Sequence, residues 1–341
     1  SRSGRPAHRN DMAKRRAIHH RIFEVTATLF VIAVVATLRS VFAPADDETI
    51  PNVAAPIGIL LQGLQARFPL WSAAIWCSTL FLAGLNAGRY GVKYSLYPAY
   101  TLMSIPLLGA VAATITVSGD YLVTSAATIL TLLAVKYIVR CIMRTGSYGD
   151  LSLSMLCFGA LPLVFAPAAV VYAAMPLLVL AVKAKWRDWT VAVVSLAFPL
   201  FACCYVSWFR GEEFIAPALR LCESVTEPSG YSFLRTLNPA GLALIGVILT
   251  MAFCAVSLII SDRYSLKVKS RAAMRFNALL ALLLCGLFFL PSGTATIFAL
   301  VAVPASILMP LIFVRMGTGF TELLYRLLLL CAAANIAVMG M

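Results

Sequence analysis

The chain has 341 residues, 61% of them hydrophobic and only 12% charged, with a net charge of +13 and a mean hydropathy of +0.91. Soluble domains carry about a quarter charged residues, so a soluble protein of this make-up would leave large apolar patches in water. The basic residues sit between apolar runs rather than on one face, which argues against a nucleic-acid partner and for the lipid bilayer, with the charges acting as topology signals.

Residues 1–21 form a basic tail that includes Lys14, Arg15, Arg16 and Arg21. The apolar run from Ile22 to Leu38 is longer than a cleaved leader needs, so 22–42 is predicted as an uncleaved first span. Basic clusters then recur at 89–93, 136–144, 183–187, 263–275 and 315. If each cluster is cytoplasmic, each interval between neighbours holds an even number of spans. The first interval holds 22–42 and 70–88. The second holds 95–117 and 121–139, turned at Ser118-Gly119-Asp120. The third, 151–182, is too long for one crossing and is predicted as two short helices broken near Pro162 and Pro167. The fourth holds 189–209 and 239–260, the fifth 276–290 and 294–314, turned at Pro291-Ser292-Gly293. A last span, 319–338, leaves the C-terminus outside. The predicted fold is all-α: residues 22–341 form a single transmembrane bundle of about eleven spans with a cytoplasmic N-terminus and outer loops at 43–69 and 210–238.

This topology leaves only Arg39, Arg67, Arg210, Arg220 and Arg235 outside, of 27 Lys and Arg. That is the bias a cytoplasmic basic face requires. Trp71 and Trp208 fall at outer span ends, and Trp186 and Trp189 at an inner one, as headgroup anchors do. Two outer segments have apolar positions at helical spacing: Ile57, Leu60, Leu61, Leu64 and Phe68 in 57–68, and Phe214, Ile215, Ala218, Leu219, Cys222 and Val225 in 214–225. Both are predicted as interfacial helices.

Two stretches carry a family resemblance: RFPLWSAAIWCSTLFLAGLNAGRYGVKYSLYPAYTLMSIPLL at 67–108 and FGALPLVFAPAAVVYAAMPLLVLAVKAKWRDWTVAVVSLAFPLFACCYVSWF at 158–209. In the second, Arg187-Asp188-Trp189 opens a span that contains Pro199. The pattern resembles an uncharacterised family of polytopic inner-membrane proteins of Bacteroidetes-type bacteria. The resemblance implies a location in the bacterial inner membrane and a helical architecture, and it implies no activity. Some members of that family carry a carotenoid-oxygenase label. This chain does not fit it, because such iron sites need several histidines and His8, His19 and His20 all lie in the tail.

Candidate chemistry concentrates outside. Asp46, Asp47 and Glu48 follow the first span and are the weak catalytic candidates, as carboxylates that could act as bases or hold a divalent cation near a phosphate. Arg67, Arg210, Glu212, Glu213, Arg220 and Arg235 are the ligand-binding candidates, since arginines near headgroups hold phosphates or carboxylates bidentately. Against both stand a solvated acidic loop and weak surface ion pairs. Tyr94, Tyr97 and Tyr100 read as an interfacial belt, and Glu322 with Arg326 as an i, i+4 ion pair. The nine cysteines contain no CxxC, so no metal site or disulfide framework is predicted. No P-loop or GxGxxG stretch occurs, and no cofactor is expected. Three functions are open: an inner-membrane protein of unassigned activity serving as a subunit of an envelope assembly, with other membrane proteins as partners; a glycosyltransferase or polymerase acting on lipid-linked sugars at the outer face; and a small-molecule or lipid transporter. A solid bundle favours the first, an outer cavity with Asp46 or Asp47 beside Arg67 or Arg210 the second, and a central polar cavity between half-bundles the third.

Overall fold

The computed structural model describes residues 27, 30, 31, 34, 37, 55–97, 101, 103–113, 120–144, 147–182, 185–226, 239–261, 267–316 and 318–339. Most of the predicted first span, the tail, and the loop stretches 38–54 and 227–238 lie outside these. Every regular element among the described residues is helical. In chain order they are α1 (Pro56–Arg67), α2 (Pro69–Lys93), α3 (Ser104–Ala113), α4 (Tyr121–Met143), α5 (Tyr148–Val164), a 3-10 turn (Ala166–Ala169), α6 (Val170–Val182), α7 (Trp186–Phe209), α8 (Ala216–Thr226), α9 (Pro239–Ser261), α10 (Val268–Gly286, extended by a 3-10 turn to Phe289), α11 (Thr296–Leu308), α12 (Pro310–Arg315) and α13 (Thr318–Met339). Among the described residues six stretches are long and apolar enough to cross a membrane: Pro69–Lys93, Tyr121–Met143, Trp186–Phe209, Pro239–Ser261, Val268–Phe289 and Thr296–Arg315. The chain is a multi-pass helical membrane protein.

Prolines set several helix starts. Pro56 and Pro69 each occupy a first helical position, where the missing N–H costs nothing and φ is already helical. Phe68 between them takes φ −137°, because the residue before a proline avoids the α region. The chain therefore turns a corner there and separates α1 from the long α2.

The α2 end departs from expectation. The span predicted to begin at 95 begins at Ser104. Tyr90–Leu96 close α2 instead: Leu96 N–H bonds to Gly91 O at 3.1 Å and Ser95 N–H to Val92 O at 3.2 Å, with Ser95 at φ 47°. This is a Schellman cap with serine in the left-handed position that glycine usually fills. Tyr97 then dives inward rather than joining a belt. It is 7% exposed, and its hydroxyl donates to Ile307 O at 2.5 Å. Ile307 lies just ahead of the α11–α12 break at Met309, where Pro310 brings no N–H to the ladder.

The segment 151–182 is two helices, as charge parity predicted. α5 stops at Phe165, φ −133°, the 3-10 turn starts at Ala166 with Pro167 second, and α6 returns with Tyr172 donating its hydroxyl to Gly159 O at 2.6 Å. α5 packs between α4 and α7. Ser154 bonds to Ala134 O at 2.7 Å and Ser152 to Ser195 at 2.8 Å. At Gly159 the helices come so close that a Cβ would lie 2.1 Å from Leu196 O. Pro199 follows one turn later inside α7, and its Cδ would lie 3.1 Å from the same Cβ.

The bundle axis is α11. All 13 of its residues are buried, as expected of a helix apolar on every side. It contacts α2, α3, α4, α9 and α10. Its hydroxyls are engaged locally: Thr296 with Thr124 at 3.2 Å, and Ser306 with Val303 O at 2.8 Å. Trp76, Phe158, Phe165 and Phe276 fill the surrounding interior. α10 starts at Val268, eight positions before the predicted 276. Arg271 and Arg275 are thus on a helix rather than in a loop.

Candidate functional site

Two ends of the bundle gather different side chains. At one end meet the starts of α2, α4 and α11 and the ends of α5, α7 and α10, together with α1 and α8. At the other end meet the finishes of α2 and α4 and the starts of α5, α7 and α10, with most of the described Lys and Arg.

At the first end α1 docks by polar contacts. Gln62 Nε2 donates to Asp120 Oδ1 at 3.2 Å, and Gln65 Oε1 accepts from Leu122 N–H at 3.1 Å. Gly58 sits so close to the end of α5 that a Cβ would lie 2.6 Å from Val164 O. Most of the predicted apolar stripe faces outward: Ile57, Leu60, Leu64 and Phe68 are exposed, Leu60 by 69%, while Leu61 is half-buried against the core. Burial pushes the Asp120 carboxyl above its ordinary range, and the Gln62 hydrogen bond opposes the shift.

α8 covers most of the second segment predicted as interfacial. It buries Pro217, Leu221 and Ser224 and leaves Leu219 and Cys222 exposed, as is Ile215 just before it. It contacts α7 and the Ala166–Ala169 turn, and Ser292 donates to Val225 O at 3.0 Å. Upstream, α7 ends in another Schellman cap: Glu212 N–H bonds to Ser207 O at 3.2 Å and Gly211 N–H to Trp208 O at 3.0 Å, with Gly211 at φ +88°. Ser207 also donates to Glu212 Oε2 at 2.7 Å.

Of the predicted ligand-binding residues, the structure joins Glu212 and Arg220, 3.5 Å apart and largely exposed. Such a pair is weak in stability terms. Arg210 and Glu213 are exposed on the α7–α8 turn, and Arg67 is exposed in the last turn of α1. Asp46, Asp47, Glu48 and Arg235 lie outside the described residues. Among the described residues no group of three His, Cys, Asp or Glu could hold a metal ion.

The basic end holds two features. Asp150 in the first turn of α5 takes an ion pair from Arg140 Nε at 3.2 Å, off-line for a hydrogen bond, and a hydrogen bond from Ser147 Oγ at 2.7 Å. This clamps the α4–α5 turn. Beside it a cleft of about 380 Å³ opens between the α2 cap, the end of α4 and the start of α10. Lys93, Ser95, Met143, Lys267, Lys269 and Ser270 line it. Ser270 Oγ donates to Ser95 O at 3.2 Å, and Lys269 Nζ to Met143 O at 2.8 Å. Sequence reasoning placed these lysines in separate cytoplasmic loops and had no signal for the cleft, which depends on a cap at Ser95 that glycine would have announced. Trp186 and Trp189 stack at this end with ring centroids 4.8 Å apart. Glu322 and Arg326 form the expected pair at 2.6 Å.

No family model, no curated protein and no solved structure matches this chain.

Proposed function

We propose that this chain is a multi-pass protein of the bacterial inner membrane, with its basic end in the cytoplasm and its C-terminus outside, that serves as a subunit of an envelope assembly. The observation that supports this most directly is the filled bundle axis. All 13 residues of α11 are buried, and the hydroxyls of Thr296 and Ser306 are taken up by neighbours within the bundle. Interaction with partners then falls to the outer surfaces. α7 and α9 each turn apolar side chains outward, with Phe198 58% and Phe253 73% exposed. The count of about eleven spans belongs to the same proposal, with the segments of the short helices α3, α5 and α6 counted as crossings.

A photo-crosslinking residue at position 198 or 253, activated in native membranes, tests the reading. A discrete adduct with another membrane protein is expected at one position or both. Adducts with lipid alone at both positions would contradict it.

A second reading has one observation in its favour. α1 follows the acidic triplet and is pinned at the bundle end by Gln62 and Gln65 with its apolar stripe outward. That arrangement suits a transferase or polymerase handling lipid-linked sugars. It fails if Asp46→Asn with Asp47→Asn leaves surface polysaccharide unchanged in a strain that requires the protein. Transport of a small molecule or lipid has less support, because a pathway would have to open α11.

A further inference from the structure

We propose that the cleft of Lys93, Lys267 and Lys269 at the basic end is a binding site for the phosphate of an anionic phospholipid headgroup. Three independent features meet there. First, the cleft gathers three lysines from chain segments more than 170 residues apart, and among the described residues no acidic side chain lines it. Asp150, the acid at the neighbouring turn, is held by Arg140 and Ser147. Like charges brought together repel unless an anion joins them. Second, the walls are fixed in place. Ser270 ties α10 to the Ser95 carbonyl, and Lys269 ties it to the end of α4, using one of its three N–H donors on Met143 O. Third, Ser95 holds φ 47°, a conformation costly for a residue with a Cβ. That turn carries Lys93 and the Ser95 carbonyl to the α10 start.

The ends of α2, α4 and α10 are also the ends of membrane-crossing helices, so the cleft sits at headgroup depth. Basic pockets between transmembrane helices on the cytoplasmic side are where anionic headgroups bind. Lysine suits this ligand as a point charge on a flexible stem. The ion in question is a phosphate oxygen, which a lipid headgroup and free inorganic phosphate share. The position among helix ends favours the lipid.

The test uses the full chain in nanodiscs of phosphatidylcholine, with phosphatidylglycerol introduced stepwise and retained lipid counted by native mass spectrometry. The wild type is expected to keep phosphatidylglycerol saturably. The triple variant K93Q/K267Q/K269Q is expected to weaken retention by roughly tenfold or more, because three ammonium groups leave one site. The triple K185Q/R187Q/R315Q removes the same charge from the same end and is expected to weaken it by less than about threefold. Equal weakening by the two triples would overturn the site, leaving only general surface attraction. If the first triple does not fold, Lys267→Glu alone, at an exposed position, serves in its place and is expected to weaken retention severalfold. No change in that variant would also overturn the site. A parallel titration of phosphatidylcholine nanodiscs with inorganic phosphate separates the sources. Retention of free phosphate with no preference for phosphatidylglycerol would overturn the lipid assignment.

Discussion

The two ends of the bundle use the same backbone device for opposite purposes. At the end that carries α1 and α8, α7 closes on a Schellman cap with Gly211 in the left-handed position. At the basic end, α2 closes on the same cap with Ser95 there. The glycine cap meets no strain and opens to a surface where Glu212, Arg220 and Ser207 satisfy one another. The serine cap is strained and stands beside three lysines that line a cleft without an acid among the described residues. The difference teaches that charge, not backbone geometry, distinguishes the ends. One end carries an ion pair and neutral contacts, and the other gathers lysines in a cleft with no acid among its described lining residues.

The frame joining the ends is the largest thing to break. Gly159→Ala puts a methyl 2.1 Å from Leu196 O, and carbonyl backbone in two packed helices yields poorly. A loss of about 3 kcal/mol or more is expected, read as thermal unfolding in detergent or as failure to fold. An unchanged Tm would show that α5 and α7 are not in this contact. Gly58→Ala acts at the first end only. Its methyl would lie 2.6 Å from Val164 O, and a cost of about 1–3 kcal/mol is expected, with protease cleavage near α1 rising before global unfolding. Global unfolding with no local step would place α1 inside the cooperative core.

The caps allow a symmetric exchange. Gly211→Ser meets no atom within 4 Å, so its cost is conformational, about 1 kcal/mol. Ser95→Gly relieves the same strain and is expected to change stability little or raise it by up to about 1 kcal/mol. Equal signs from the two variants would break the comparison.

Asp120 gives the smallest effect and a pH signature. Its carboxyl is raised above the ordinary 3.8 by burial, so the folded state holds its proton more tightly than the unfolded state. The stability from this group is fully present below 3.8 and lost as pH rises through the raised folded value. Asp120→Asn keeps an acceptor for Gln62 and should remove that pH dependence, gaining about 1 kcal/mol or less at neutral pH. Loss of stability at neutral pH would mean that the ionised carboxylate is needed.

Hydropathy and charge spacing made much of this fold legible. The long helices, the apolar stripes of α1 and α8 and the Glu322–Arg326 pair follow from local periodicity, and the break inside 151–182 from charge parity and length. What stayed hidden depends on neighbours. Lipid and protein interior are equally apolar, so nothing in Thr296–Leu308 distinguishes a central helix from a peripheral one. Ser95 gives no warning of a left-handed cap, although Pro98 stands where prolines often follow one. Gly58 and Gly159 read as ordinary small residues until a facing carbonyl is known. Gln62 and Gln65 gain meaning only once α1 lies across Asp120. The candidate lysines were visible as topology signals, but their convergence required the fold.

On the proposed orientation the two ends of the bundle face different compartments. Single cysteines at the exposed positions 226 and 268, in a chain whose other cysteines are replaced by serine or alanine, test it in spheroplasts with a membrane-impermeant maleimide. T226C is expected to label in intact spheroplasts, and V268C only after permeabilisation. Labelling of V268C from outside with T226C protected would reverse the orientation, and labelling of both from outside would remove the bilayer from between the two ends.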